Sequence, residues 1–392
     1  MADPALVSWL CADQVFDGQT LRTGLAAEVT NGVVTAVAPA AALPPAVRRQ
    51  ILSGVLTPGF VDLQVNGGGD ALLNNDPSVG AMQTIAAAHR RFGTVALLPT
   101  LITDAPDKLD RAAEAAIAAR GLPGIIGLHI EGPHISRARH GTHALRHIRP
   151  LDQRTITQVC RLRDAGVAVM LTLAPEAVAP GQIAALAETG AVISIGHSDA
   201  SAEAVKVALD EGARCFTHLF NAMSPMLNRS PGVTGAAINS HAHAGFICDG
   251  HHVADAMLAL AIRARPLPDR MFLVSDAMST VGGSDHFTLY GQELRLVDGR
   301  LVNAEGSLAG AHVTIAESLS RLIRVVGVEP QAALRMAVSV AADLMGAPAL
   351  GQLIGRRVED VLILDQNWMP RATGADLMAG APAQPQLTAH TG

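Results

Sequence analysis

Leu128-His129-Ile130-Glu131-Gly132-Pro133-His134 is the stretch from which the fold of this 392-residue chain can be read. A largely apolar run from Gly124 to Ile130 drives into a carboxylate, and a glycine and a proline then stop it. A carboxylate at the end of a buried strand is costly unless a positive partner meets it. Candidates stand further along the chain. His197 closes Ile193-Ser194-Ile195-Gly196, His218 follows Phe216-Thr217, and Asp276 follows Leu273-Val274-Ser275. Four such residues, each closing a separate strand, predict one site at one end of a parallel barrel.

Working outward, buried strands are predicted at 60–65, 94–99, 125–130, 168–173, 192–196, 215–219, 245–248 and 272–275. Helical patterns fall between them near 78–92, 105–120, 152–165, 180–189, 200–212 and 253–265. Asp152 and Asp199 are placed to cap helices, and Gly93, Gly121, Gly166, Gly190 and Gly212 to stop them. Strands and helices alternating in this way predict a (β/α)8 TIM-like barrel. The flanks differ. Residues 5–57 read as short strands, with hairpin signals at Asp17-Gly18 and Asn31-Gly32. Val361-Leu362-Ile363-Leu364-Asp365 returns to strand character near the other end. Residues 1–56 and 355–392 are therefore expected to form a small β-sandwich domain from both chain termini, with a barrel at 57–354 between them. Residues 285–305 read as a hairpin inserted after the eighth strand, with helices near 311–326 and 330–345. The Ala-, Pro- and Gln-rich end after about 375 reads as a loose tail.

Composition narrows the function. The formal net charge is −6, and no run rich in lysine and arginine appears, which argues against nucleic acid as a partner. No uninterrupted apolar stretch reaches membrane-spanning length. Cys11, Cys160, Cys215 and Cys248 are scattered single cysteines, as expected for reduced thiols in a cytoplasmic protein. The start of the sequence lacks the pattern of a secretory signal. Of the fifteen histidines, His89, His147, His286, His312 and His390 have no metal-like context and read as surface or helix residues. His241-Ala242-His243 has a chelating spacing but precedes the seventh strand, at the wrong end of a barrel for its site. His129 and His134 flank Glu131 and read as packing or supporting residues.

Glu131, His197 and His218 together supply two imidazoles and one carboxylate, a donor set that leaves a divalent metal an open position for chemistry. Such a metal brings the pKa of its water to about 7. Asp276 can then serve as general base and general acid.

These segments resemble the amidohydrolase superfamily, beginning with Thr57-Pro58-Gly59-Phe60-Val61-Asp62. Gly141-Thr142-His143, Thr217-His218-Leu219-Phe220-Asn221-Ala222-Met223 and Asp249-Gly250-His251-His252, with the glutamate segment, resemble the N-acetylglucosamine-6-phosphate deacetylase family within it. The resemblance implies hydrolysis of the acetamide of a sugar phosphate, with Asp276 and His143 catalytic, Asp276 moving protons and His143 assisting the carbonyl oxygen. It implies one divalent metal per subunit, zinc first, with Fe2+ or another divalent ion as the alternative. It further implies substrate contacts from His143, Asn221, Ala222, His252, Leu308 and Ala309, and a homodimer in which Arg229 reaches the phosphate in the neighbouring subunit. Most of the superfamily carries His-x-His on the first strand for a second metal. Gln64 and Asn66 stand there instead, as in a branch of the family with one tightly held metal. Ala311 stands where a small hydroxyl residue is expected. The gluco or galacto configuration of the sugar is left open.

Overall fold

A computed structural model describes residues 7–302 and 308–379. The expected loose tail and His390 lie outside the described residues from 380 onward. The described chain begins with β1 (Val7–Phe16), β2 (Leu21–Thr23), β3 (Leu25–Thr30), β4 (Val33–Pro39) and β5 (Arg49–Pro58). Asn31 and Gly32 join β3 to β4 with φ of 52° and 75°. A two-residue hairpin turn needs this positive pair, because its twist matches that of the strands.

After Gly59 the pattern becomes β6 (Phe60–Val65), the short pair β7 (Gly67–Gly68) and β8 (Ala71–Leu72), α1 (Val79–Arg90), β9 (Thr94–Ile102), α2 (Pro106–Ala118), β10 (Gly127–Glu131), α3 (Gln153–Asp164), β11 (Ala168–Leu173), α4 (Gln182–Glu188), β12 (Val192–Ile195), α5 (Ala202–Asp210), β13 (Cys215–Phe216), α6 (Gly232–Asn239), β14 (His243–Phe246), α7 (Asp255–Ala264) and β15 (Met271–Leu273). β6 and β9 to β15 form one eight-stranded parallel sheet in chain order. The two ends of that sheet meet just past β15. The Asp276 N–H donates to the Gln64 carbonyl at 3.0 Å and the Asn66 N–H to the Ala277 carbonyl at 2.9 Å. Buried Asp62 ties the same seam, accepting the Gln64 and Ser275 N–H groups at 3.1 and 3.2 Å. The barrel thus closes through the segment that carries Asp276.

Alternate residues of β9, β11 and β15 enter different apolar clusters, as a period of two requires. On β9, Leu97 and Leu101 join the largest cluster, while Ala96 and Leu98 join another. The five expected glycine stops all have positive φ, from 75° to 113°, and glycine takes that conformation without steric cost. The Asp152 side chain caps α3 through the Thr155 N–H at 2.8 Å. Asp199 does not cap α5; Ser201 does, because Asp199 pairs with Arg139 at 2.8 Å.

A three-stranded antiparallel meander follows: β16 (His286–Leu289), β17 (Gln292–Val297) and β18 (Arg300–Val302). It packs Phe287, Leu289, Leu294 and Leu301 onto Leu72, Ile102 and Met278. The chain continues through α8 (Ile315–Arg321), α9 (Pro330–Ala337), α10 (Ser339–Leu344), β19 (Val361–Leu364), β20 (Pro370–Thr373) and α11 (Gly374–Met378). β19 pairs antiparallel with β5, so strands from both flanks of the barrel share one seven-stranded sheet. Arg90 on α1 reaches Asp360, just before β19, at 2.5 Å and links barrel to sheet. No helix among the described residues is long and apolar enough to cross a membrane.

Candidate active site

Glu131 is the last residue of β10. His197 and His218 lie two residues past β12 and β13, and Asp276 lies three past β15. The backbone at the last three is left-handed, with φ of 47°, 30° and 50°. Non-glycine residues adopt that region at a cost and concentrate at functional sites when they do. It also explains why β13 is short. The extended run expected to Leu219 ends at Phe216, because His218 and Phe220 both have positive φ.

The polar ends converge. His218 Nε2 lies 2.9 Å from Glu131 Oε1, His197 Nε2 lies 3.3 Å from the same oxygen, and the two nitrogens are 3.1 Å apart. All three side chains are buried. His197 Nδ1 is 2.8 Å from the Arg139 carbonyl. A carbonyl only accepts, so Nδ1 carries the proton and Nε2 turns its lone pair to the cluster. Three electron-pair donors facing one point make a cradle for a cation, and a buried cluster of this kind can hold a metal ion. Glu131, His143 and His197 also bring ligand atoms within 4.8 Å of one another. His218 is the better third donor, because it stands at contact distance from both Glu131 and His197.

Burial alone would raise the Glu131 carboxyl, but the imidazoles of His197 and His218 beside it outweigh that and hold it well below the usual carboxylate range. Asp276 behaves oppositely: burial, then the charge of Glu131, pushes it up to about 6. Its Oδ1 accepts from Asn66 Nδ2 at 2.7 Å and Gln64 Nε2 at 3.1 Å. Gln64 Nε2 also lies 3.0 and 3.1 Å from the two Glu131 oxygens. Its amide therefore ties the two carboxylates together. Burial, then the nearby His197, pushes His143 well below the ordinary histidine range.

These groups line a cavity of about 180 Å3 with Asn66, Glu131, His143, His197, His218, Asn221, Ala222, His252, Asp276 and Leu308. Ala222 has φ of 50°, and its N–H has no acceptor among the described residues. His252 Nδ1 is 2.6 Å from Asp249, which leaves Nε2 as its remaining polar atom. Burial would raise the Asp249 carboxyl, but its bonds with His252 lower it to about 2. Two predicted contacts are not in the cavity lining. Ala309 is buried in the meander cluster, its N–H bonded to the Leu301 carbonyl at 3.1 Å. Arg229 lies on an exposed turn and has no hydrogen-bond or ion-pair partner among the described residues. Ala311 keeps its backbone place, donating to the Asp276 carbonyl at 3.0 Å.

Other histidines divide by burial. His129 bonds Thr172 at 2.8 Å and Thr100 at 3.2 Å beneath the cluster, and His134 bonds Thr155 at 2.9 Å. His243 opens β14, away from the strand ends that hold the site. His89 is on a helix as expected, but it is fully buried and bonded to the Gly67 carbonyl at 2.9 Å. His312 is buried too, 2.8 Å from the Thr280 hydroxyl. Sequence reasoning overlooked Ile102 and Met278 as wall residues, and Thr103, which holds His143. Their one sequence signal was position, at or just past the ends of β9 and β15.

No protein-family model matches the chain. Among characterised relatives, the N-acetylgalactosamine-6-phosphate deacetylase of Shewanella sp. (strain ANA-3) is 38% identical over 328 residues, 81% of each chain. The N-acetylglucosamine-6-phosphate deacetylase of Haemophilus influenzae is 30% identical over 352 residues, covering 87% of this chain and 91% of that one. A solved variant of the Mycobacterium smegmatis N-acetyl-D-glucosamine-6-phosphate deacetylase, in complex with N-acetyl-D-glucosamine-6-phosphate, superposes with a TM-score of 0.85 at 31% identity. That match covers 94% of this chain and 97% of that one.

Proposed function

The chain belongs to the N-acetylglucosamine-6-phosphate deacetylase family of the amidohydrolase superfamily, and from that premise we propose that it hydrolyses N-acetyl-D-glucosamine 6-phosphate to D-glucosamine 6-phosphate and acetate. The observation that carries this reading is the convergence of Glu131, His197 and His218 beside Asp276 in one cavity. Those three residues hold one divalent cation, zinc by preference for a site of two imidazoles and a carboxylate. When bound, the cation supplies Lewis acidity and an acidified water at neutral pH.

Asp276 takes the proton of the attacking water and returns it to the departing nitrogen, since an amine leaves poorly unless protonated. Its Oδ1 is occupied by the Asn66 and Gln64 amides, so Oδ2 is the oxygen that works. His143 donates a hydrogen bond to the acetyl oxygen as negative charge develops there. Gln64 spans both carboxylates with a donor, where a ligand for a second cation would need a lone pair. The site is mononuclear in this reading.

The sugar and its phosphate are received by Asn221, the free Ala222 N–H, His252 and Leu308. Arg229 completes the phosphate contacts from the neighbouring subunit of a homodimer. Its turn at 225–231 is exposed throughout, with Met226 43% and Leu227 58% exposed beside it, and a guanidinium suits phosphate geometry. Four unpaired cysteines and a phosphorylated substrate fit a cytoplasmic enzyme.

The 38% identity to an N-acetylgalactosamine-6-phosphate deacetylase favours a second reading, the galacto epimer as substrate. One experiment tests both. kcat/KM is measured on the two N-acetylhexosamine 6-phosphates and on unphosphorylated N-acetylglucosamine, with metal counted on the same preparation. Preference for the gluco phosphate with one metal per chain is expected. Preference for the galacto phosphate adopts the second reading, and no release of acetate from either phosphate overturns both.

A further inference from the structure

Thr103 directly follows β9, is 1% exposed, and touches three separate segments at once. Its Oγ1 lies 2.7 Å from His143 Nδ1 and 3.5 Å from the Glu131 carbonyl oxygen. Its own carbonyl accepts the hydroxyl of Tyr290, the one tyrosine in the chain. Tyr290 sits in the turn between β16 and β17 with φ of 54°, and Arg146 lies 5.6 Å from the centre of its ring. The loop that carries His143 and the meander after β15 are both fastened near Thr103. The fit is tight. A Cβ on Gly132, whose φ is 80°, would lie 2.3 Å from the Thr103 hydroxyl.

A threonine hydroxyl has one proton to give. Of its two neighbours, the His143 nitrogen is the closer by 0.8 Å, and the carbonyl at 3.5 Å is at the limit of a hydrogen bond. The carbonyl would take that proton only in a bond at its limit, so the geometry favours giving it to His143 Nδ1. In a neutral imidazole the other nitrogen then carries the ring hydrogen, so Nε2–H is the donor left for the cavity. The opposite tautomer would present a lone pair there, which would repel the developing oxyanion. We propose that Thr103 is a positioning residue that fixes His143 as the Nε2–H tautomer, and that Tyr290 holds Thr103 in register for it. This rests on the role given to His143 above.

The test compares Thr103→Val, which removes the hydroxyl and keeps the shape, with Thr103→Ser, which keeps the hydroxyl. Metal content and the stability of each variant are measured alongside. Losing an oxyanion donor outright costs roughly a hundred- to a thousandfold in kcat. A donor left in place but misdirected should cost less, so Thr103→Val is expected to lower kcat at least about tenfold with KM little changed. Thr103→Ser should retain most of the rate. Nitrogen NMR of 15N-histidine-labelled protein reads the tautomer directly and needs no substrate. His143, assigned by its loss in His143→Gln, should be protonated at Nε2 in the parent and in Thr103→Ser, and should shift toward Nδ1 in Thr103→Val. A His143 already protonated at Nδ1 in the parent overturns the proposal, as does an unchanged ring in Thr103→Val. If the tautomer behaves as expected but no acetate is released from either sugar phosphate, the assigned reaction fails and the positioning role stands.

Discussion

Asp276 is buried beside a second carboxylate, and its surroundings set what it can do. Two amides, from Asn66 and Gln64, fix one of its oxygens, and burial with the charge of Glu131 lifts it to about 6. A carboxyl near that value can both accept and return a proton close to neutral pH. Asp276→Asn preserves the shape and the amide contacts but cannot carry the proton. It is expected to keep its metal and bind substrate while kcat falls at least about a hundredfold. Turnover kinetics, elemental analysis and a binding titration on the same sample check this. A variant with nearly parental kcat would move the base elsewhere, with His143 the first suspect. At this scale the sequence already named Glu131, His197, His218 and Asp276, because each ends an apolar run. It did not reveal the second use of Gln64. That residue reads as a replacement for a lost ligand, yet in the structure it tethers two carboxylates.

The elements around the site differ in how they were encoded. β6 and β11 have the predicted bounds, since apolar runs and turn residues specify both. β13 was overestimated, because the left-handed residues His218 and Phe220 that follow it leave no mark on hydropathy. α6 was missed because the glycines and alanines of 232–239 carry no amphipathic stripe. The meander β16–β18 holds to the barrel rim by a small apolar cluster in which Phe287 is the largest side chain and 8% exposed. Phe287→Ala should cost about 3 kcal/mol locally. Local opening draws on the stability of the segment that opens, not on that of the whole fold. Hydrogen exchange is expected to quicken across 286–302 in this variant while amides of β9 to β11 keep their protection. Equal acceleration in both regions would show that the meander and barrel unfold as one unit.

At the scale of the molecule, Arg229 separates one chain from an assembly. It has no partner among the described residues of its own chain and lies beside exposed Met226 and Leu227. If it serves the phosphate across a dimer interface, a mixed dimer of Arg229→Ala with Asp276→Asn has one site lacking both residues and one site intact. Such a dimer should recover about half of the parental activity per dimer, whereas each variant alone is impaired. Arg229→Ala itself should mainly raise KM for the phosphorylated sugar, because a contact made equally in ground and transition states leaves kcat alone. A mixed dimer whose two sites each behave as single mutants would place the arginine in its own chain.

The sequence by itself determined the alternation of strand and helix, the joining of the two chain flanks in one small β element, and the residue types at the strand ends. Those follow from local rules: period-two burial, helix caps, and glycines where φ is positive. Only the tertiary structure decided how the barrel closes, since the seam joins Asp62 and Gln64 to Ser275 and Asp276 across more than two hundred residues. It also decided that Asp199 meets Arg139 instead of capping α5, that Thr103 bonds His143, and that Arg229 is not part of the cavity lining of its own chain. Each of these depends on where a distant backbone comes to rest. A local pattern carries no record of that until packing has fixed the register of the strands.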